Sequence, residues 1–132
     1  MSTDNSKLRI VIDVDGTLAQ AKGGSQSYAE LSPHPEVVTK LREYRDQGFY
    51  IIVQSSRNMR TYANNVGLIQ ANTLPVLIDW LKRHDVPFDE VHVGKPWCGF
   101  DGFYVDDKAI RPSEFLSLSY EEVRKLIGEG GD

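Results

Sequence analysis

Short apolar runs and amphipathic stretches alternate along the chain, and each apolar run stops at a cluster of polar residues. Leu8 to Val14 is the first run and reads as a strand; Phe49 to Val53 is the second, stopping at Gln54-Ser55-Ser56-Arg57. Continuous apolar runs of this length mark strands buried on both faces. Between them, Pro35 to Arg45 places Val37, Val38, Leu41 and Tyr44 on one helical face. Pro35 sits early, where a missing N–H is harmless, and Gly48 ends the helix. Thr73 to His84 repeats the pattern with Leu74, Leu77, Ile78 and Leu81. Val91 to Val93 is a short strand leading into Gly94-Lys95-Pro96, and Phe103 to Val105 is a fourth, closed by Asp106-Asp107. Ser119 with Glu122 forms a capping box that opens a C-terminal helix. Residues 1–7 and 128–132 are expected to be flexible tails.

Strands alternating with helices are the signature of βαβ units, so the fold class is α/β with a central parallel sheet. A chain of 132 residues, 40% hydrophobic and 26% charged, describes one globular domain, residues 1–132. No stretch of about 18 apolar residues offers a membrane span, and Met1 to Lys7 is polar without an apolar core, so a cytoplasmic protein with no membrane partner is expected. Cys98, the one cysteine, excludes an intrachain disulfide framework, and three dispersed histidines give a zinc site little to be built from. Metal binding is therefore expected through oxygen. A formal charge of −4 argues against a general nucleic-acid binder and points to a small partner.

The chemistry gathers at strand ends. A strand's period of two turns Asp13 and Asp15 to the same side, and Gly16-Thr17 lets the backbone turn and bring amides close to an anion. An Asp-Gly pair after a strand is equally a hairpin turn when taken alone. Ser55/Ser56, Lys95 and Asp106/Asp107 end the other three strands. In open parallel sheets ligands bind outside the carboxyl ends of the strands, where residues distant in sequence meet. Arg57 and Arg60 are candidates to clamp a second anionic group of a substrate, against the ordinary reading of solvated loop arginines. His34, His84, His92 and Cys98 read as structural.

The ordered set Asp-x-Asp-Gly-Thr, then Ser, then Lys, then Asp-Asp on successive strand ends resembles the haloacid dehalogenase-like (HAD) superfamily of aspartate-nucleophile phosphohydrolases, over roughly Leu8 to Leu118. The runs Ser56 to Tyr62, Gly94 to Gly99 and Phe103 to Pro112 resemble a subgroup of small members linked to capsule or lipopolysaccharide sugar biosynthesis. The resemblance implies a Rossmann-like three-layer sandwich. It makes Asp13 the nucleophile of an aspartyl-phosphate intermediate and Asp15 the acid and base. Asp13, the carbonyl of Asp15 and Asp106 would hold Mg²⁺, with Asp107 in or just behind that set. Ser55, or Ser56, would bind the phosphoryl oxygens and Lys95 would offset their charge; the family more often has Thr at the serine position. Gly16 and Thr17 would face the phosphate.

The gaps from Asp15 to Ser55 and from Ser55 to Lys95 each hold only a loop, a helix and a strand, so no cap domain is expected. Water exclusion then falls to a neighbouring subunit in a homo-oligomer, to the segment Ala19 to Leu31 as a mobile flap, or to a large substrate. The expected function is Mg²⁺-dependent phosphomonoester hydrolysis on a small phosphorylated sugar or sugar acid. The alternatives are a phosphatase acting on a nucleic-acid end or phosphoprotein, and a non-catalytic phosphate- or metal-binding regulatory module.

Overall fold

The structure is a computed structural model that describes residues 8–128, so the tails expected at 1–7 and 128–132 lie outside it except for Gly128. The chain gathers into two compact units, Met1–Trp97 and Cys98–Asp132.

The first unit is built on three parallel strands, β1 (Arg9–Asp13), β2 (Tyr50–Gln54) and β3 (Glu90–His92), in the order β1-β2-β3. Asp13 pairs with Gln54, and Gln54 with His92, so the three strands finish at one level. Each runs to within a residue of its expected bounds, but only the central β2 is buried on both faces, at Ile51, Ile52 and Val53; β1 buries Ile12 on one face and leaves Val11 55% exposed on the other, and β3 has no buried residue. The connections hold α1 (Pro35–Asp46), α2 (Val66–Asn72) and α3 (Leu74–Arg83). Val37, Val38, Leu41 and Tyr44 of α1 are buried, the face expected of it; in α3 the expected Leu77 and Leu81 are buried, Leu74 and Ile78 are half-buried, and Trp80, not foreseen, completes the buried face.

Gly48 does more than stop α1. Its positive φ of 98° lets its N–H reach the Arg45 carbonyl while Phe49 N–H reaches that of Tyr44, the two bonds of a Schellman ending. The Tyr44 and Phe49 rings meet edge-on with centroids 4.9 Å apart, sealing the turn into β2. Helix α2 was not expected from its apolar spacing. Asn65 caps it, its side chain accepting from Leu68 N–H at 3.1 Å.

The second unit carries two short helices, α4 (Pro112–Ser117) and α5 (Tyr120–Leu126). The expected capping box of α5 is present: Ser119 Oγ accepts from Glu122 N–H and Glu122 accepts from Ser119 N–H. The expected fourth strand is not formed. Phe103, Tyr104 and Val105 are irregular and 79%, 51% and 88% exposed. Three residues after Gly99 and Gly102 have β-prone side chains but no hydrogen-bonded ladder, and strand propensity acts only through such neighbours. The sheet therefore has three strands among the described residues, within a mixed α/β architecture. Among these residues no helix is long and apolar enough to cross a membrane.

Candidate functional site

Asp13 closes β1, and the turn after it is tightly bonded to itself. Val14 carbonyl accepts from both Thr17 N–H (3.0 Å) and Ala19 N–H (2.9 Å), and Gly16 N–H donates to Ala19 carbonyl (2.8 Å). Gly16 holds a φ of 84°, which any side chain would strain. The amides of Gly16 and Thr17, expected to face an anion, are thus committed within the turn; Thr17 contributes its hydroxyl instead, donating to Asp13 Oδ2 at 3.2 Å. Val14, Leu18 and Ala19 are fully buried, so the turn is rooted in the core.

Lys95 reaches the same carboxylate from the far side of the sheet, with Nζ 3.6 Å from Asp13 Oδ1. Its main-chain N–H donates to Ser55 carbonyl (3.2 Å), and Ser55 N–H donates to His92 carbonyl (2.9 Å), so the β2 and β3 ends are laced together. Burial pushes the Asp13 carboxyl above the ordinary carboxylate range. The Lys95 charge, a Val14 N–H and the Thr17 hydroxyl oppose this without cancelling it, and the Asp15 charge adds to it. Beside Lys95 lies a cavity of about 420 Å³ lined in part by Arg9, Gln54, Glu90 and His92. Glu90 is fixed there, accepting from Tyr50 Oη at 2.6 Å and sharing a 2.8 Å bond with His92 Nε2.

Asp15 faces Arg57. Nη2 lies 2.8 Å from Oδ1 and Nε lies 3.2 Å from Oδ2, a two-point pair across 42 positions of sequence. Arg57, expected as a substrate clamp or a solvated loop residue, has a side chain with no exposed surface. Its guanidinium carbon lies 4.2 Å from the centre of the Tyr28 ring, and Nη1 is buried with no hydrogen-bond partner. Its main-chain N–H donates to the buried Ser55 Oγ at 2.9 Å, which leaves that hydroxyl's own proton available to another acceptor. Burial first, and then the Asp15 charge, raise the Tyr28 hydroxyl above its ordinary value, with Arg57 opposing.

The segment from Ala19 to Leu31 is pinned at both ends. Ala19 and Leu31 are buried, Gln20 N–H donates to Ser32 carbonyl (2.9 Å), and Trp80 Nε1 donates to Leu31 carbonyl (2.7 Å). Arg83 Nη2 adds a bond to Ala29 carbonyl at 2.8 Å. Only its middle, residues 20–27, is exposed throughout, and the single 3-10 turn Tyr28–Glu30 brings Tyr28 to Arg57. Tyr28 was not foreseen; it sits in a polar stretch with no periodicity to mark it.

Of the remaining expected site residues, Ser56 is half-buried next to Ser55, and Arg60 is exposed in the turn that follows. Asp106 and Asp107 belong to the second unit, both exposed in a turn where Asp106 Oδ1 accepts from Lys108 N–H at 2.9 Å. Cys98 is a half-buried free thiol. Asp13, Asp15, Thr17, Ser55, Arg57 and Lys95 thus form one connected cluster at the carboxyl ends of the strands of the first unit.

No protein-family model matches the chain. A stretch of the replication factor C small subunit of Methanocaldococcus jannaschii is 26% identical over 98 residues, covering 70% of this chain and 5% of that protein. The chain therefore spans about a twentieth of the length of that curated relative. Among solved structures, a Vibrio cholerae protein determined as a structural-genomics target superposes with a TM-score of 0.88 at 48% sequence identity, covering 94% of this chain and 99% of that one. Identity of that order over nearly all of both molecules places this chain in the same family as the Vibrio cholerae protein.

Proposed function

We propose that the protein is a Mg²⁺-dependent phosphomonoester hydrolase of the cytoplasm. It works through an aspartyl-phosphate on Asp13 and acts on a small phosphorylated sugar or sugar acid, in the Rossmann-like three-layer arrangement of the HAD enzymes it resembles. The observation that supports this best is the Asp13 carboxylate itself, partly desolvated at the end of β1 with Lys95 Nζ 3.6 Å away and a second carboxylate two residues on. A carboxylate needs no base to activate it, only an electrophile whose negative charge has been offset.

In this reading Asp13 Oδ attacks phosphorus while Asp15 gives a proton to the departing ester oxygen; Asp15 then takes a proton from the water that cleaves the Asp13 ester and releases phosphate. Ser55 donates to a phosphoryl oxygen, and Lys95 stabilises the charge that accumulates on the others. A cation fits here because the Asp13 carboxyl is held above its ordinary range by burial, a penalty that a neighbouring positive charge relieves. Among the described residues no three Asp, Glu, His or Cys side chains form a ready ligand group, and Mg²⁺ commonly takes one or two carboxylates with waters and phosphate oxygens. Asp13 and the Asp15 carbonyl would hold it. When bound, the ion would supply charge neutralisation of the phosphoryl group.

The test is phosphate release from a panel of phosphorylated sugars, sugar acids and p-nitrophenyl phosphate, with Mg²⁺ and with EDTA. Asp13→Asn should lower the rate by roughly 10⁴-fold or more while the far-UV spectrum is kept. Equal rates in that variant and the parent, or no release over the whole panel, overturns the reading. Faster release from a 5′-phosphorylated oligonucleotide than from any sugar phosphate would move the substrate to a macromolecule.

A further inference from the structure

The buried guanidinium of Arg57 has no role in the reaction as described so far. A side chain with no exposed surface is an unusual place for a permanent charge, since removing an ion from water is repaid only by excellent pairing. Here the pairing is incomplete, with Nη1 buried and unpartnered, so the arrangement is not the one that stability alone would favour. An apolar side chain of similar volume would avoid both costs. What this geometry does supply is orientation. Nε and Nη2 lie in a rigid plane and engage both oxygens of Asp15, which stops the carboxylate from turning about its own axis. The plane is itself held on one edge by Asp15 and on one face by the Tyr28 ring at 4.2 Å, while the bond from the Arg57 main-chain N–H to Ser55 Oγ fixes the backbone that carries it. A carboxylate offers about four lone-pair positions; Arg57 takes two and leaves the others for proton transfer.

We infer that Arg57 is a positioning residue for Asp15, holding it in the one orientation from which it meets the ester oxygen, with Tyr28 as the support behind Arg57. This rests on the phosphatase reading above.

The experiment compares two substrates that differ in their need for an acid. A sugar phosphate must protonate a poor leaving group, whereas p-nitrophenyl phosphate expels a stable phenolate unaided. In kcat/KM, which reports steps up to the loss of the leaving group, Arg57→Met should lose about 10²-fold or more on the sugar phosphate and under about threefold on p-nitrophenyl phosphate. The loss should fall on kcat rather than KM. Arg57→Lys, which keeps the charge but not the planar fork, should recover only part of it. Tyr28→Leu should show the same substrate asymmetry in weaker form, and it covers the case in which Arg57→Met fails to fold. Adding Arg57→Met to Asp15→Asn should cost nothing further, since the orienting group has lost its object. Equal losses on both substrates, losses confined to KM, or additive losses in the double variant overturn the inference while leaving the phosphatase reading intact. A parent protein inactive on every substrate sinks both.

Discussion

Trp80→Phe tests how the segment Ala19 to Leu31 is held, because α3 grips that segment with two side chains that differ in burial. Trp80 is fully buried and its indole donates to the buried Leu31 carbonyl at 2.7 Å; Arg83 is about half exposed and donates to Ala29 carbonyl at 2.8 Å. The bonds are of like length, so environment decides their worth. Phenylalanine leaves the Leu31 carbonyl without its donor, which costs about 1–3 kcal/mol for a buried polar group. The smaller ring leaves roughly 40 Å³ unfilled, worth about 1 kcal/mol at about 24 cal/mol per Å³. The total is about 2–4 kcal/mol. Arg83→Ala removes a bond that water replaces and should cost about 0.5 kcal/mol. In a domain of this size the first change should lower Tm by roughly 10 °C and the second by roughly 2 °C. Urea unfolding followed by far-UV circular dichroism is the suitable assay; the chain has two tryptophans, and the variant keeps only Trp97, so fluorescence would report another place. Unchanged m-values would show that only stability moved. If Trp80→Phe costs no more than Arg83→Ala, burial does not set the value of the anchor and the reasoning fails.

Asp13→Asn should raise stability in EDTA. A carboxyl whose folded pKa lies above its ordinary 3.8 binds its proton more tightly in the fold, so its ionised form weakens the fold at neutral pH. The gain should shrink as pH falls and vanish below 3.8, where both states are protonated. A urea midpoint at pH 7 equal to or below the parent's contradicts this. Asp89 has the opposite sign. Burial pushes it up, but bonds from Arg45 Nη1 and Ile51 N–H, both 2.8 Å, and the Arg45 charge outweigh this and bring it below 3.8. Its contribution is present above 3.8 and lost as pH falls through the depressed value, so Asp89→Asn should cost about 1 kcal/mol at pH 7 and progressively less as pH falls below 3.8. A pH-independent cost would refute it.

The elements that were legible from sequence are those whose residues carry local instructions. Gly48 after the periodic face of α1, Ser119 with Glu122 at α5, and the apolar runs of β1 and β2 each need only a few neighbours to act. Phe103 to Val105 failed for the converse reason: its side chains are strand-like, but a strand exists only through a partner's ladder, and none is present. Helix α2 rests on Asn65, a cap followed by Gly67, which weakens the periodic signal. At the site, Asp13, Ser55 and Lys95 followed from their places after strands. Arg57 could not be placed this way. Arginine is ordinarily exposed, and its burial depends on Asp15 and Tyr28, 42 and 29 positions earlier, one of them in a stretch without a pattern.

The level finish of Asp13, Gln54 and His92 has a consequence for how such a molecule can change over generations. Asp13 ends β1, Ser55 directly follows β2, and Lys95, three residues past β3, is bonded through its N–H to Ser55 carbonyl, so the long connections between strands can grow, shrink or exchange sequence without moving them. The strand-end cluster and the connecting segments are thereby free to vary separately. The segment bearing Tyr28 is the exception, tied by one ring to Arg57 at the carboxyl end of the sheet, and it is where an exchanged loop would have to keep an aromatic side chain.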